Sequence, residues 1–201
     1  MEKLRIGIGG SAANPPHLGH RYLIEVLIRS KRFDRIFWIP SGVRPDKEGF
    51  LSAEHRVAMT KMTFPKEWPF EIIYDDVFGI NTPTIEVIEK YTREYPQAEV
   101  VWFTGADSVV PLEKYGGKCE MQAVWIRGEE LYKKYNFLVL PRPGFANPKS
   151  IDLPGNFEIL DVSQLDITST EIKRKIIDNE PFEELVTNEV VEYIKKNNLY
   201  K

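Results

Sequence analysis

The chain has 201 residues, 42% of them hydrophobic and 28% charged, which is the composition of a folded globular protein and excludes disordered, collagenous and disulfide-dense classes. A formal net charge of −3 at pH 7, with no long Lys/Arg block, excludes a chain whose main work is coating nucleic acid. The one cysteine, Cys119, can form neither an internal disulfide nor a metal cluster, so a cytoplasmic setting is the default.

At this length one core and one domain spanning residues 1–201 are expected. No run approaches the ~18 apolar residues of a membrane span, and Met1–Arg5 leads into a stretch too short for a signal segment, so no membrane is expected as a partner.

In chain order, apolar runs predict strands at Leu4–Gly9, Arg35–Pro40, Phe70–Tyr74, Glu99–Thr104, Phe137–Leu140 and Phe157–Leu160. Helical periodicity predicts helices near His17–Ser30, Ala53–Thr63, Pro83–Tyr95, Glu129–Lys134, Thr170–Asp178 and Asn188–Asn197, with Thr82 as a cap before Pro83. Strands alternating with helices imply an α/β, Rossmann-like, doubly wound and mostly parallel sheet with helices on both faces. The proline-rich stretch 141–155 reads as a long loop, because only about 45 residues follow it, too few for a second core. Ligands of such a sheet sit beyond the carboxyl ends of its strands, so the loops after Gly9, Pro40, Thr104 and Leu160 are where chemistry is expected.

The first of these loops is Gly9-Gly10-Ser11-Ala12-Ala13-Asn14-Pro15-Pro16-His17-Leu18-Gly19-His20. Glycines let the backbone approach an anion, and the following helix end offers unpaired N–H groups, so this is a phosphate-binding location. Gly7-Ile8-Gly9-Gly10-Ser11-Ala12 fits the loose G-x-G-x-x-A dinucleotide pattern, but Pro15 and Pro16 fall where that motif needs a helix and no acidic ribose partner ends the second strand. A Walker loop is excluded, since no Gly-Lys-Ser or Gly-Lys-Thr occurs. His17 and His20 stand three apart at a helix start and can face one spot, with Gly19 leaving room between them. A metal site would want further ligands, and His55 is the one remaining histidine. Near the other end, Ile167-Thr168-Ser169-Thr170-Glu171-Ile172-Lys173 reads both as a capping box and as an anion-binding helix start, two compatible roles.

The segment Gly9–His20 resembles the G-G-S/T-x-x-N/D-P-x-H-x-G-H motif of nucleotidyltransferases, closest to the nicotinate-nucleotide adenylyltransferase family, and Ile167–Lys173 resembles that family's I-S-S-T-x-I-R motif. Lys173 stands where the family has arginine, with Arg174 beside it, and bidentate geometry does not pass from Arg to Lys. The resemblance covers nearly the whole chain: Pro40–Lys47 is similar to the loop ending in P-H-K, with Asp46 in place of the histidine, and Arg56 and Met59 match R-x-x-M. Thr82-Pro83-Thr84 is similar to the S-Y-T turn, Gly105-Ala106-Asp107-Ser108 to G-x-D-S, and Arg142-Pro143-Gly144 to R-P-G. Trp125 aligns with a ring-stacking tryptophan after about ten extra residues around Tyr115–Ala123, with a core tryptophan as the competing reading.

The resemblance implies transfer of AMP from ATP to nicotinate mononucleotide, with pyrophosphate leaving and Mg²⁺ carried by ATP. It implies His17, His20 and Lys47 as catalytic residues. Gly9, Gly10, Ser11, Gly19, Thr168, Ser169, Thr170 and Lys173 join them as ATP and phosphate ligands, and Thr82, Thr84, Gly105, Asp107, Trp125 and Arg142 as contacts of the acceptor nucleotide. Asp107 reads equally as a helix cap, and Arg56 as an organiser of the site. The alternatives are a nicotinamide-mononucleotide or phosphopantetheine adenylyltransferase and, from another class, a nucleotide-binding regulator without turnover. A homo-oligomer stays open.

Overall fold

The computed structural model describes residues 3–42, 49–78, 81–163 and 165–201. Six strands, β1 (Leu4–Ser11), β2 (Arg35–Pro40), β3 (Phe70–Ile72), β4 (Ala98–Gly105), β5 (Asn136–Leu140) and β6 (Phe157–Ile159), form one sheet in the order β3-β2-β1-β4-β5-β6. Every pairing is parallel. This is the doubly wound order, with the chain reversing direction between β1 and β4.

The strands bury both faces, and strict alternation decides which residue goes where. Phe37 and Ile39 of β2, Val100 and Trp102 of β4, and Phe137 and Val139 of β5 join a core with Ile85, Ile88 and Tyr91 of α3 (Thr84–Glu94), Met121 of α4 (Glu120–Val124) and Leu131 of α5 (Gly128–Lys134). Their neighbours Ile36 and Trp38, Val101 and Phe103, Leu138 and Leu140 point the other way, onto Ile24 and Leu27 of α1 (Leu18–Ser30). A third cluster joins Met59 of α2 (Ala53–Thr63), Ile172 and Ile176 of α6 (Ser169–Ile177), and Val190, Val191 and Ile194 of α7 (Asn188–Lys196). This last cluster ties the helix that opens the C-terminal motif to the helix that follows β2.

The segment 141–155 is a connection within one sheet, since β6 beyond it pairs with β5. Three expectations are corrected. First, β1 runs on through Gly9, Gly10 and Ser11, which pair with Trp38, Ile39 and Pro40, so the loop itself is Ala12–His17. A Cβ at Gly10 would lie 1.9 Å from the Ile39 carbonyl oxygen and one at Gly9 2.3 Å from the Phe103 ring, so strand packing alone already demands both glycines. Second, α3 begins at Thr84 with Pro83 at its cap position, and the Thr82 hydroxyl donates to the Asp75 carbonyl (2.5 Å) instead of capping the helix. Third, the short helix α4 lies inside the 115–125 stretch, where its five residues are too few to show a period. None of the helices among the described residues is long and apolar enough to cross a membrane.

Candidate active site

The loop after β1 and the turn after β4 meet at the carboxyl edge where the strand order reverses, the place where open parallel sheets take ligands. His17 caps α1 and is buried, 7% exposed, and its ring lies 3.8 Å from that of His20, centroid to centroid. The His17 backbone N–H donates to His20 Nδ1 (3.2 Å), which leaves the neutral ring's proton on Nε2, 3.0 Å from Ser11 Oγ. Ser11 Oγ also accepts from the Ala13 N–H (3.2 Å), so its own hydroxyl proton is left to point elsewhere. Nδ1 of His17 is buried without a hydrogen-bond partner among the described residues. Such an orphan costs on the order of 1–3 kcal/mol and marks a place where a ligand can recover it.

Burial first, and the Arg142 charge next, push His20 down to about 4. His17 is held well below the usual histidine range by burial, then by His20 and Arg142. Both rings are therefore neutral donors and acceptors at pH 7. Arg142, just beyond β5, gives Nη1 to Asp107 Oδ2 (2.6 Å), and Asp107 Oδ1 is buried without a hydrogen-bond partner among the described residues. A Cβ at Gly105 would lie 2.4 Å from that oxygen, so the glycine makes room for the carboxylate. Asp107 sits inside a 3-10 turn, residues Ala106–Ser108, with Gly105 at its cap position, so it does not act as an N-cap.

The C-terminal motif is brought directly onto this loop. Thr168 caps α6, accepting from the Glu171 N–H (3.1 Å), while Ser169 Oγ donates to the Pro15 carbonyl (2.8 Å). Thr170 is the second residue of the helix, and the Ser169 bond to Pro15 sets the start of α6 against the first loop. Of the motif's two adjacent basic residues, Lys173 reaches toward Gly49: a Cβ built there would lie 4.0 Å from its ammonium. Arg174 turns away, held bidentately by Glu180 (2.9 Å to each oxygen), and cannot stand in for the family's arginine. Gly19 leaves space chiefly for the His17 ring: a Cβ there would come within 2.9 Å of Nδ1.

Of the acceptor-side residues, the Thr82 backbone N–H donates to Asp76 Oδ1 (2.9 Å), and Thr84 opens α3. Trp125 ends α4, half-buried against the sheet core, and α4 packs on the turn that carries Asp107. Lys47 and Asp46 lie outside the described residues.

One residue emerges only from the structure, and a second gains its partners there. Asp76 joins the loop after β2 to the turn before α3 by accepting from the N–H groups of Gly42 and Thr82, each at 2.9 Å. Arg56, 2% exposed, donates to the carbonyls of Ala12 (3.1 Å), Ser41 (2.6 Å), Gly42 (3.5 Å) and Leu51 (3.1 Å), with Phe50 stacked 4.3 Å away. That grip gives the organising role expected of Arg56 its physical content.

A sequence profile of the cytidylyltransferase-like family matches residues 8–175. A probable nicotinate-nucleotide adenylyltransferase of Carboxydothermus hydrogenoformans is 30% identical over the full length of both chains. The chain belongs to the nicotinate-nucleotide adenylyltransferase family. The Bacillus subtilis nicotinate-nucleotide adenylyltransferase is 26% identical, over 98% of each chain. Among solved structures, Plasmodium falciparum nicotinic acid mononucleotide adenylyltransferase complexed with NaAD superposes with a TM-score of 0.82 at 18% identity, covering 98% of this chain and 97% of that one. That likeness confirms the fold.

Proposed function

We propose that this chain transfers AMP from Mg-ATP to nicotinate mononucleotide, giving nicotinate adenine dinucleotide and pyrophosphate. The observation that carries the reading is the neutral His17–His20 pair, walled by Arg142 and fastened to the start of α6 at the sheet's reversal point. Two relatives, aligned over nearly the whole chain, carry the name of this activity.

An acceptor phosphate oxygen attacks the α-phosphorus in line. The new P–O bond forms as the bond to the bridging oxygen breaks, and pyrophosphate leaves with that electron pair. The phosphate is already ionised, so the protein's part is positioning and stabilisation of charge. His20 Nε2–H, given to Ser11 Oγ in the free protein, is the donor that a phosphate oxygen can take over. The orphaned His17 nitrogen gains a partner in the same step. Lys47, Lys173 and the end of α6 with Thr168, Ser169 and Thr170 hold the triphosphate. Thr82, Thr84, Gly105, Asp107, Trp125 and Arg142 hold the acceptor. Mg²⁺ enters on ATP as part of the substrate, since the groups lining the loop are anion-binding donors. ATP supply and the reduced thiol of buried Cys119 suit the cytoplasm.

The test is pyrophosphate release by purified protein with Mg-ATP and, separately, nicotinate mononucleotide, nicotinamide mononucleotide or phosphopantetheine. Preference for the first is expected, and His20→Ala should lower kcat by on the order of 10²–10³. Preference for another acceptor moves the substrate assignment. No release with any acceptor leaves a nucleotide-binding regulator, and near-normal turnover of His20→Ala removes the role given to that ring.

A further inference from the structure

The loop that carries His17 is held from a place the catalytic motifs do not include. Asn14, 4% exposed, holds the loop through hydrogen bonds of its side chain among the described residues: Oδ1 accepts from the Leu51 N–H (3.2 Å) and from the Tyr200 hydroxyl (2.9 Å), and Nδ2 donates to the Gly49 carbonyl (2.9 Å). The next residue, Pro15, is held by Ser169. The Asn14–Pro15 turn is thus gripped from two sides, by α6 and by the segment after α7.

The structure takes some trouble to deliver that hydroxyl. After α7 the chain folds back, with the Leu199 N–H on the Ile194 carbonyl (3.1 Å) and the Leu199 side chain buried in the third cluster. Tyr200 then takes φ 63°, a left-handed conformation that a bulky side chain adopts only where its surroundings enforce it. Burial pushes the Tyr200 phenol up, against the opposing charge of Arg56, so the group stays a hydrogen-bond donor at every working pH. Earlier in the chain, within α7, Tyr193 Oη lies 3.0 Å from His55 Nδ1 on α2, a contact of the same kind that does not touch the loop.

We propose that Tyr200 is a positioning residue for catalysis: its bond to Asn14 fixes the Asn14–His17 turn so that the His17 and His20 rings meet the reacting phosphates in register. This rests on the adenylyl-transfer reading above. Asn14 keeps its bonds to Leu51 and Gly49 when the hydroxyl is lost, so the fold survives and the effect falls on alignment. Misplacement by a fraction of an ångström in such a site costs rate steeply.

The experiment compares Tyr200→Phe with Tyr193→Phe in the full chain, reading kcat and KM for ATP, the thermal midpoint, and amide deuterium uptake of residues 11–18 in the free protein. Tyr200→Phe is expected to lower kcat roughly tenfold, with faster uptake in 11–18 and a thermal midpoint no lower than that of Tyr193→Phe. The control should keep wild-type kcat and uptake. A Tyr200→Phe kcat within twofold of wild type, unchanged uptake in 11–18, or an equal kcat loss in Tyr193→Phe would each overturn the proposal. If the wild type turns over none of the acceptors, the adenylyl-transfer reading fails, while deuterium uptake still decides whether Tyr200 holds the loop.

Discussion

Replacing His20 with asparagine should flatten the acid limb of the protein's stability profile. The amide oxygen takes the place of Nδ1 as acceptor for the His17 N–H, gives up the Nε2 contact with Ser11 Oγ, and does not titrate. The folded protein holds His20 at about 4, against 6.5 for an unperturbed histidine. The sign follows: the folded pKa is depressed, so the stabilisation is fully present above pH 6.5 and is lost as pH falls toward 4, where the unfolded chain binds a proton that the folded one refuses. Two units below pH 6.5, at pH 4.5, the loss attributable to His20 is about 2.5 kcal/mol. His17 acts in the same direction and remains in the variant, as do the carboxylates, so the difference between the two proteins isolates His20. Urea unfolding at pH 7.0, 5.5 and 4.5, followed by tryptophan fluorescence, measures it. Trp38, 5.7 Å from His20 and edge-on to it, should report the ring's protonation directly. Curves for wild type and His20→Asn that stay parallel from pH 7 to 4.5, within about 0.5 kcal/mol, would refute the neutral, desolvated histidine on which the catalytic reading depends.

Gly19→Ala tests the packing of the histidine pair: its Cβ would press on His17 Nδ1 at 2.9 Å and push the ring aside. Turnover should fall by about tenfold or more while the thermal midpoint holds or rises, because alanine favours the helix; an unchanged kcat would show that the His17 ring position is not critical. Arg56→Met keeps much of the side-chain volume but leaves four loop carbonyls without their donor. It should cost at least about 3 kcal/mol in urea unfolding, and a loss below about 1 kcal/mol would show that water replaces the guanidinium freely.

Much of this architecture could be read in advance because its causes are local. The strands at Arg35–Pro40 and Phe137–Leu140 are short apolar runs that match a parallel sheet buried on both faces, and α7 carries its apolar residues on a single side. The helix start at His17 follows two prolines, which is a local signal as well. Other features had no local cause. Gly9 and Gly10 look like loop glycines, yet the obstacles to a side chain are Phe103 and the Ile39 carbonyl, which reach them only through strand pairing. Arg174 stands beside Lys173 in the sequence, and only the fold shows that it is aimed at Glu180.

By itself the sequence determined the period of the longer elements, the alternation of strands and helices, and the phosphate-binding character of the segments at Gly9–His20 and Ile167–Lys173, since these depend on residues a few positions apart. Only the tertiary structure decided which groups converge: Arg142 beside the histidines and Asp107, Ser169 on Pro15, Asp76 between two loops, and Tyr200 on Asn14. Apart from Asp76 and Thr82, which are 6 positions apart, the hydrogen-bonded pairs lie between 34 and 186 positions apart. Hydrogen bonds and desolvation act over a few ångströms of space, whatever the distance along the chain, and so had to wait for the fold that brings these residues together.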